Sequence, residues 1–319
     1  MSTPLPLLKS LQASVKRAAD QQAGPAMHTG LQEALNAARA VDPEQREEFR
    51  RLVAQSVPLV DSVTGAGQLS IWLGSSVEAG CPAAATVEPL IDAFLRWSAT
   101  LVTVEDGEDP PAEKDCVIGL QMIGQSLVAH LAQEDGLRHS AVANRELNAE
   151  LERIEHLTPG AWWLRGLLTQ QSGIVSVVHL EKSIGFRLSY TNVCNCFHLL
   201  TLLQGRLEGM LPGTRPVDPQ IFAVANGESW EEVTDEAWWD YFVADGLGGL
   251  SLLDGLQSPA DLSVVGNSQV LFLRALSAGG LSWDGGFFAP VLSASPPEVK
   301  MERQLTAEEI AAFTSQLTT

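Results

Sequence analysis

Cysteine is scarce in this chain: Cys81, Cys116, Cys194 and Cys196 are the four thiols among 319 residues. Four cysteines are too few for a disulfide scaffold, and Cys194 lies too close to Cys196 for the pair to bridge comfortably. Long apolar runs are also lacking, since segments such as residues 174–178 fall well short of the roughly 18–20 residues that a membrane helix needs. We therefore expect reduced thiols and no membrane-spanning segment.

Basic residues are few as well. The chain has 20 Lys and Arg against 39 Asp and Glu, which gives a formal net charge of −19. Because cationic side chains supply most of the affinity for phosphate backbones and for anionic lipids, we expect neither nucleic acid nor membrane as a partner. The acidity favours solubility. The first residues lack the apolar segment of a signal peptide, which predicts a mature cytoplasmic protein.

Motifs that bind cofactors are also missing from the sequence. Gly246, Gly248 and Gly249 do not follow the order of a dinucleotide-binding loop, and the phosphate-loop and serine-hydrolase patterns do not occur. His179 and Glu181 match the first half of a zinc-deaminase signature, but the PCxxC half is missing. We therefore predict no cofactor.

The apolar residues that are present, 45% of the chain, follow a helical pattern in the first half. They recur at three and four positions, as at Phe49, Leu52 and Val53, which indicates amphipathic helices. Pro43 suits a first helical turn with Asp42 as its N-cap. The residues 64–67 (TGAG) are expected to break the chain before a helix over 68–79, and the acidic residues 104–115 to form an exposed loop. We predict an all-α domain of paired helices over residues 1–158.

The pattern changes after Thr158-Pro159-Gly160. Residues 174–180 and 185–190 are rich in β-branched and aromatic types and predict a β-hairpin. An apolar helix over 197–207 follows, capped by Asn192 or Asn195. A buried strand at 270–276 and a capping box at residues 306–309 complete the pattern. The fold class is therefore predicted as α+β, with residues 159–319 forming an α+β domain around a small, largely antiparallel sheet.

Candidate catalytic and metal-binding residues concentrate in residues 175–203: His179, Glu181, Cys194 and His198, with Cys196 between the last two. In an extended segment, residues two apart share a face and could meet a zinc ion. On a helix only Cys194 and His198 would align, and a helix N-terminus near His198 could activate a thiolate. The spacing contains neither CxxC nor HxxxH, so buried thiols and hydrogen-bonded core histidines are the competing interpretation.

Several short motifs lie in the second half of the chain: residues 179–181 (HLE), 185–187 (GFR), 195–203 (NCFHLLTLL), 259–262 (PADL) and 283–288 (WDGGFF). Together they resemble an uncharacterised family of bacterial hypothetical proteins. The resemblance covers mainly the C-terminal half. It implies a bacterial, cytoplasmic protein and implies no activity.

Two functional hypotheses follow. The first is a non-catalytic cytoplasmic interaction or regulatory protein with a protein partner. The alternative is a metal- or thiol-dependent enzyme whose site is built from residues 175–203, with His179, Glu181, Cys194 and His198 as its candidate residues. The two differ in a measurable way, because the metal-dependent enzyme would carry near-stoichiometric metal.

Overall fold

The computed structural model describes Ala13, Lys16 and residues 43–101, 114–277, 280–288, 291–292 and 295–317. The proposed N-cap Asp42 and nearly all of the predicted loop at 104–115 lie outside these residues. The chain divides into two compact units, Met1–Leu168 and Thr169–Thr319. The fold is α+β, whereas the predicted domain boundary at residue 158 stays a prediction.

The described part of the first unit consists of helices, with no strand among them. They are α1 (Pro43–Ser56), a 3-10 turn (Val57–Leu59), α2 (Val63–Glu78), α3 (Val87–Ser98), α4 (Lys114–Gln133), α5 (Asp135–Ala143), α6 (Arg145–Ile154) and α7 (Pro159–Thr169). In the described residues, no helix is both long and apolar enough to cross a bilayer.

The predicted break at residues 64–67 is wrong, because these residues form the first turns of α2. Ser62 caps the helix, its hydroxyl accepting a 3.2 Å hydrogen bond from the Gly65 N–H. The small residues allow α2 and α4 to approach closely. A Cβ on Gly119 of α4 would lie 2.6 Å from the Val63 carbonyl oxygen, and one on Gly67 would lie 2.9 Å from the Gly119 oxygen. Glycine here permits backbone contact rather than ending a helix.

Helix α7 was not predicted, because Thr158-Pro159-Gly160 was interpreted as a break. Pro159 is instead the first helical residue, where its missing N–H costs no hydrogen bond. The Thr158 hydroxyl accepts a 3.1 Å hydrogen bond from the Ala161 N–H and caps the helix.

The second unit contains a mixed sheet of seven strands in the order β5-β4-β7-β1-β2-β9, with β6 paired to β7. Strands β3 and β8 pair separately. The strands are β1 (Gln171–His179), β2 (Ile184–Val193), β3 (Thr234–Glu236), β4 (Trp239–Ala244), β5 (Leu250–Leu252), β6 (Val264–Val265), β7 (Ser268–Ala275), β8 (Ser282–Asp284) and β9 (Glu298–Gln304).

The sheet confirms part of the prediction and corrects part of it. The predicted hairpin is present as β1 and β2, with Val177 opposite Phe186. The sheet is larger than predicted, because β4, β5, β6 and β9 add to the three expected strands β1, β2 and β7. Among the described pairings in this sheet, β1 with β7 is parallel and the others are antiparallel.

Helices cover both faces of this sheet: α8 (Cys196–Leu207) and the short α9 (Pro219–Ala225) on one side, and α10 (Ala307–Thr314) on the other. The alternation of side chains along the strands separates the two cores. Val177 and Leu273 pack with Leu199 of α8, whereas Val178 and Phe272 belong to the core that contains Ile310 of α10. The capping box predicted at residues 306–309 is confirmed at the start of α10.

Candidate functional site

His179 and Glu181 lie at the turn end of the β1–β2 hairpin. His179 is buried, and its Nδ1 lies 3.2 Å from the Glu181 carboxylate without the alignment of a hydrogen bond. Burial lowers the pKa of His179, and the Glu181 charge opposes that change. Both Glu181 oxygens lie 3.2 Å from the Ala275 N–H, which donates to the carboxylate. Glu181 therefore ties the hairpin turn to the end of β7.

Cys194 and His198 lie at the start of α8. Of the two predicted caps, Asn195 caps the helix, its side-chain oxygen accepting a 3.0 Å hydrogen bond from the His198 N–H. The His198 Nε2 lies 2.8 Å from the Ala225 carbonyl oxygen and must donate to it. Nδ1 then accepts a 3.3 Å hydrogen bond from the Cys194 N–H. Both ring nitrogens of His198 are therefore occupied by the backbone.

Burial controls the titration of this second group. It lowers the pKa of His198 to about 4 and raises the pKa of the Cys194 thiol to about 12. Burial likewise raises the pKa of Cys196 to about 12, with a smaller opposing contribution from Gln257. At neutral pH the thiols are protonated and the imidazole is neutral, so this arrangement provides neither an activated thiolate nor an available base.

The hairpin register separates the two groups. His179 pairs with Ile184 at one end, and Gln171 pairs with Val193, next to Cys194, at the other. The intervening strand rises about 3.3 Å per residue over eight steps, so the two ends lie roughly 26 Å apart. His179 and Glu181 therefore do not converge with Cys194 and His198. Among the residues that the structure describes, no group of three or more His, Cys, Asp or Glu is arranged to hold a metal ion.

A buried carboxylate that the sequence analysis missed is Asp235 of β3. Its Oδ2 accepts a 2.6 Å hydrogen bond from the Thr201 hydroxyl and a 3.2 Å bond from Gln204 Nε2. Its Oδ1 accepts a 2.8 Å bond from the Glu236 N–H. Burial raises the pKa of Asp235, and these donors oppose the rise.

The donors around Asp235 are themselves hydrogen-bonded. Trp283 Nε1 donates to the Thr201 oxygen at 3.0 Å, and the Tyr241 hydroxyl donates to Gln204 Oε1 at 2.7 Å. A sequence signal did exist, because Thr201 and Gln204 are polar residues three apart on a largely apolar helix and so lie on one face. The network joins α8 to β3, β4 and β8.

A buried carboxylate with a raised pKa can mark an active site, but here the surroundings indicate a structural role. A groove of about 330 Å³ lies nearby, and Asp235 does not line it. Its walls are Leu202, Gly205, Arg206, Phe222, Asn226, Pro297, Glu298 and Val299. The oxygens of Asp235 accept hydrogen bonds from donors of its own fold.

Exposed leucines mark the β5 edge of the sheet. Leu247, Leu252 and Leu256 are 91%, 71% and 60% exposed. They lie in and around the edge strand, and Leu250 beside them is half-buried. Isolated exposed leucines are ordinary, but several along one edge form the kind of apolar surface that partners bind.

Two aspartates hold Leu247 and Leu256 in ordered turns. Asp245 Oδ1 accepts 2.8 Å hydrogen bonds from the N–H groups of Leu247 and Gly249. Asp254 Oδ1 accepts a 2.9 Å bond from the Leu256 N–H. The loop after β5 is fixed to α8 as well, because the Phe197 N–H donates to the Gly255 carbonyl oxygen at 2.8 Å. We name the segment from Asp245 to Leu256 the leucine edge.

The chain matches no family model, no curated protein and no solved structure.

Proposed function

We propose that this chain is a non-catalytic cytoplasmic interaction protein that binds a protein partner at the leucine edge. The supporting observation is the exposure of Leu247, on a turn that its hydrogen bond to Asp245 holds in place, and of Leu252 on the edge strand β5. Exposed apolar side chains gain free energy when a partner removes them from water. Turns that are already ordered lose little conformational entropy on binding.

The alternative proposal, a metal- or thiol-dependent enzyme built from residues 175–203, has weaker support. It would need His179 and Glu181 to act with Cys194 and His198 across the length of the hairpin. It would also need a thiolate at Cys194, whose pKa burial raises to about 12. Elemental analysis of the purified chain tests this alternative, since near-stoichiometric metal would favour it over an interaction protein.

The interaction proposal is tested by affinity capture from cells that express the chain at its natural level. We compare the full chain with Leu247→Asp, Leu252→Asp and a control, Leu281→Asp, which replaces a leucine that is 44% exposed and lies outside the leucine edge. We expect one or more partners to be retained by the unsubstituted chain and the control, and to be lost from both edge variants.

Circular dichroism and urea unfolding establish that the variants keep the fold. Recovery of the same proteins, in the same amounts, on all four chains would contradict the proposal, as would the absence of any protein retained above a tag-only control.

A further inference from the structure

The backbone of β5 has hydrogen-bonding groups that face away from the sheet. The Leu253 N–H donates to Tyr241 at 3.0 Å, and the Asp245 N–H donates to Gly249 at 3.1 Å. In an antiparallel ladder, residues that bond to the neighbouring strand alternate with residues that do not. Ser251 therefore bonds to β4, whereas the N–H and C=O groups of Leu250 and Leu252 point outward. Among the described strands, none lies on that side of β5.

The opposite edge of the same sheet is protected by charge. Strand β9 carries Glu298, Lys300 and Glu302, and Lys300 forms a 2.5 Å ion pair with Glu298. Glu302 is paired with Arg187 at 3.1 Å. Charged side chains on an edge strand oppose pairing with another chain. Strand β5 has no such protection, because its three residues are Leu250, Ser251 and Leu252.

We propose that an extended segment of the partner protein adds to β5 as a further strand of the sheet. This inference rests on the proposed interaction function and specifies how the partner binds. The outward groups of Leu250 and Leu252 would supply four main-chain hydrogen-bonding positions, two donors and two acceptors. Their side chains project on the same face as their opposite residues, Ala244 and Phe242. Apolar side chains at alternate positions of the added strand pack against that face.

The charges around β5 indicate which residues should lie on either side of the apolar part of the partner segment. Asp245 precedes β5 and Asp254 follows it, both exposed, and no Lys or Arg occurs between residues 245 and 256. Arg274 of β7 lies over the Phe242 ring at 5.2 Å from its centre. A second copy would bring the same acids together and would add another charge of −19. The edge therefore fits a segment with apolar residues at alternate positions and Lys or Arg on either side.

The test uses the full chain and a random dodecapeptide library displayed on phage. We expect selection to enrich peptides with alternating apolar residues and basic flanks. Synthetic versions are then measured by fluorescence polarisation against the unsubstituted chain, Leu252→Ala and Leu252→Pro. Proline at 252 removes an outward N–H that β4 does not use, and a sheet edge tolerates it. Because proline also removes an outward hydrogen bond, we expect Leu252→Pro to bind about five- to tenfold more weakly than Leu252→Ala.

A peptide N-methylated at alternate residues gives an independent measurement on the unsubstituted chain, which does not depend on the folding of Leu252→Pro. Methylation of the peptide N–H groups that face β5 should abolish binding. Methylation of the N–H groups that face away from β5 should preserve it. Equal binding to Leu252→Ala and Leu252→Pro, together with tolerance of both methylation patterns, would overturn strand addition while leaving an interaction through side chains. Failure to select any peptide, or selection of peptides without basic flanks, would also overturn it.

Analytical ultracentrifugation of the chain alone tests whether a second copy of the chain occupies β5. A dimer that Leu252→Pro dissociates would show that a second copy occupies β5, which would overturn the proposal. Equal capture of a natural partner by the unsubstituted chain and by Leu252→Asp would instead contradict the proposed function at this edge.

Discussion

At the residue scale, two histidines are buried in a neutral form. His130 Nδ1 lies 2.7 Å from the Ser126 carbonyl oxygen and must donate to it, and Nε2 lies 2.9 Å from the Thr86 hydroxyl. His198 has both nitrogens bonded to the backbone. Burial is the main reason why the pKa of each lies at about 4 in the fold, below the ordinary 6.5. Their role is to satisfy hydrogen bonds within the core.

These histidines predict a loss of stability in mild acid. Below pH 6.5 the unfolded chain binds a proton at each histidine that the folded chain does not bind until about pH 4. Their contribution is therefore complete above pH 6.5 and declines as the pH falls, by about 1.4 kcal/mol per pH unit for each histidine. Urea unfolding between pH 7 and pH 4.5 measures the slope, which should be shallower in His130→Gln. Exposed His139 provides the control, and His139→Gln should keep the original slope. Identical slopes in all three chains would contradict the prediction.

Asp235 gives a second prediction at this scale. Replacement by alanine leaves the Thr201 hydroxyl and the Gln204 amide without their buried acceptor, so we expect a loss of about 2–4 kcal/mol in unfolding free energy. The control is Glu236→Ala, which removes a neighbouring carboxylate that is 73% exposed and ion-paired with Arg215. We expect that change to cost less than about 1 kcal/mol. Urea unfolding measures both losses. Similar losses in the two variants would show that the buried network stabilises the fold no more than the exposed carboxylate of Glu236 does.

At the scale of elements, α2 and α4 lie in close backbone contact at Gly119. The Cβ of an alanine at position 119 would lie 2.5 Å from Val63 Cγ2 and 2.6 Å from the Val63 carbonyl oxygen. The side chain can rotate away, but the backbone oxygen moves only with its helix. The pair must therefore separate to admit one methyl group, and tightly packed interiors resist such shifts.

Gly119→Ala should consequently destabilise the chain by about 1–3 kcal/mol, despite the higher helix propensity of alanine. Gly136 of α5 is the matched control, because a Cβ there would meet no atom within 4 Å. Gly136→Ala should be neutral or stabilise by up to about 1 kcal/mol. Thermal unfolding of the two variants separates the effect of close helix packing from that of alanine's higher helix propensity. A stabilising effect of Gly119→Ala would show that the helices are not in close contact.

Local patterns predicted individual elements more successfully than their arrangement. The β-branched and aromatic residues around Val177 and Phe186 predicted the hairpin, and the capping residues of α10 predicted a helix there. Strand β9 was not predicted, because Lys300, Glu302 and Arg303 give it the composition of a charged surface segment. Whether the candidate site residues come together depends on the register between β1 and β2, which no local sequence pattern contains. The pairing of His179 with Ile184 places Cys194 at the far end of the hairpin. Polar Thr201 and Gln204 on an apolar helix were the signal that was overlooked.

At the scale of the whole molecule, the formal charge of −19 is the dominant electrostatic property. Mutual repulsion among so many carboxylates is stronger in a compact chain than in an extended one and opposes folding. Salt reduces this repulsion, because the screening length falls from about 30 Å at 0.01 M to about 8 Å at 0.15 M.

We therefore expect the midpoint of thermal unfolding to rise by several degrees as sodium chloride is raised across this range. An uncharged osmolyte at equal osmolality, such as glycerol, serves as the control for effects unrelated to charge. An unchanged or falling midpoint in salt would mean that local ion pairs outweigh the net charge.

The position of β7 between β1 and β4 has a consequence for how the chain assembles during synthesis. The β1–β2 hairpin closes locally soon after it leaves the ribosome, but the other side of β1 stays unpaired while residues 194–267 are made. Strand β4 is made before β7 and cannot join the hairpin until β7 lies between them. Such distant pairing slows folding and leaves apolar strands open to other chains in the meantime. A polypeptide that ends before Ser268 therefore lacks the strand that joins the two halves of its sheet.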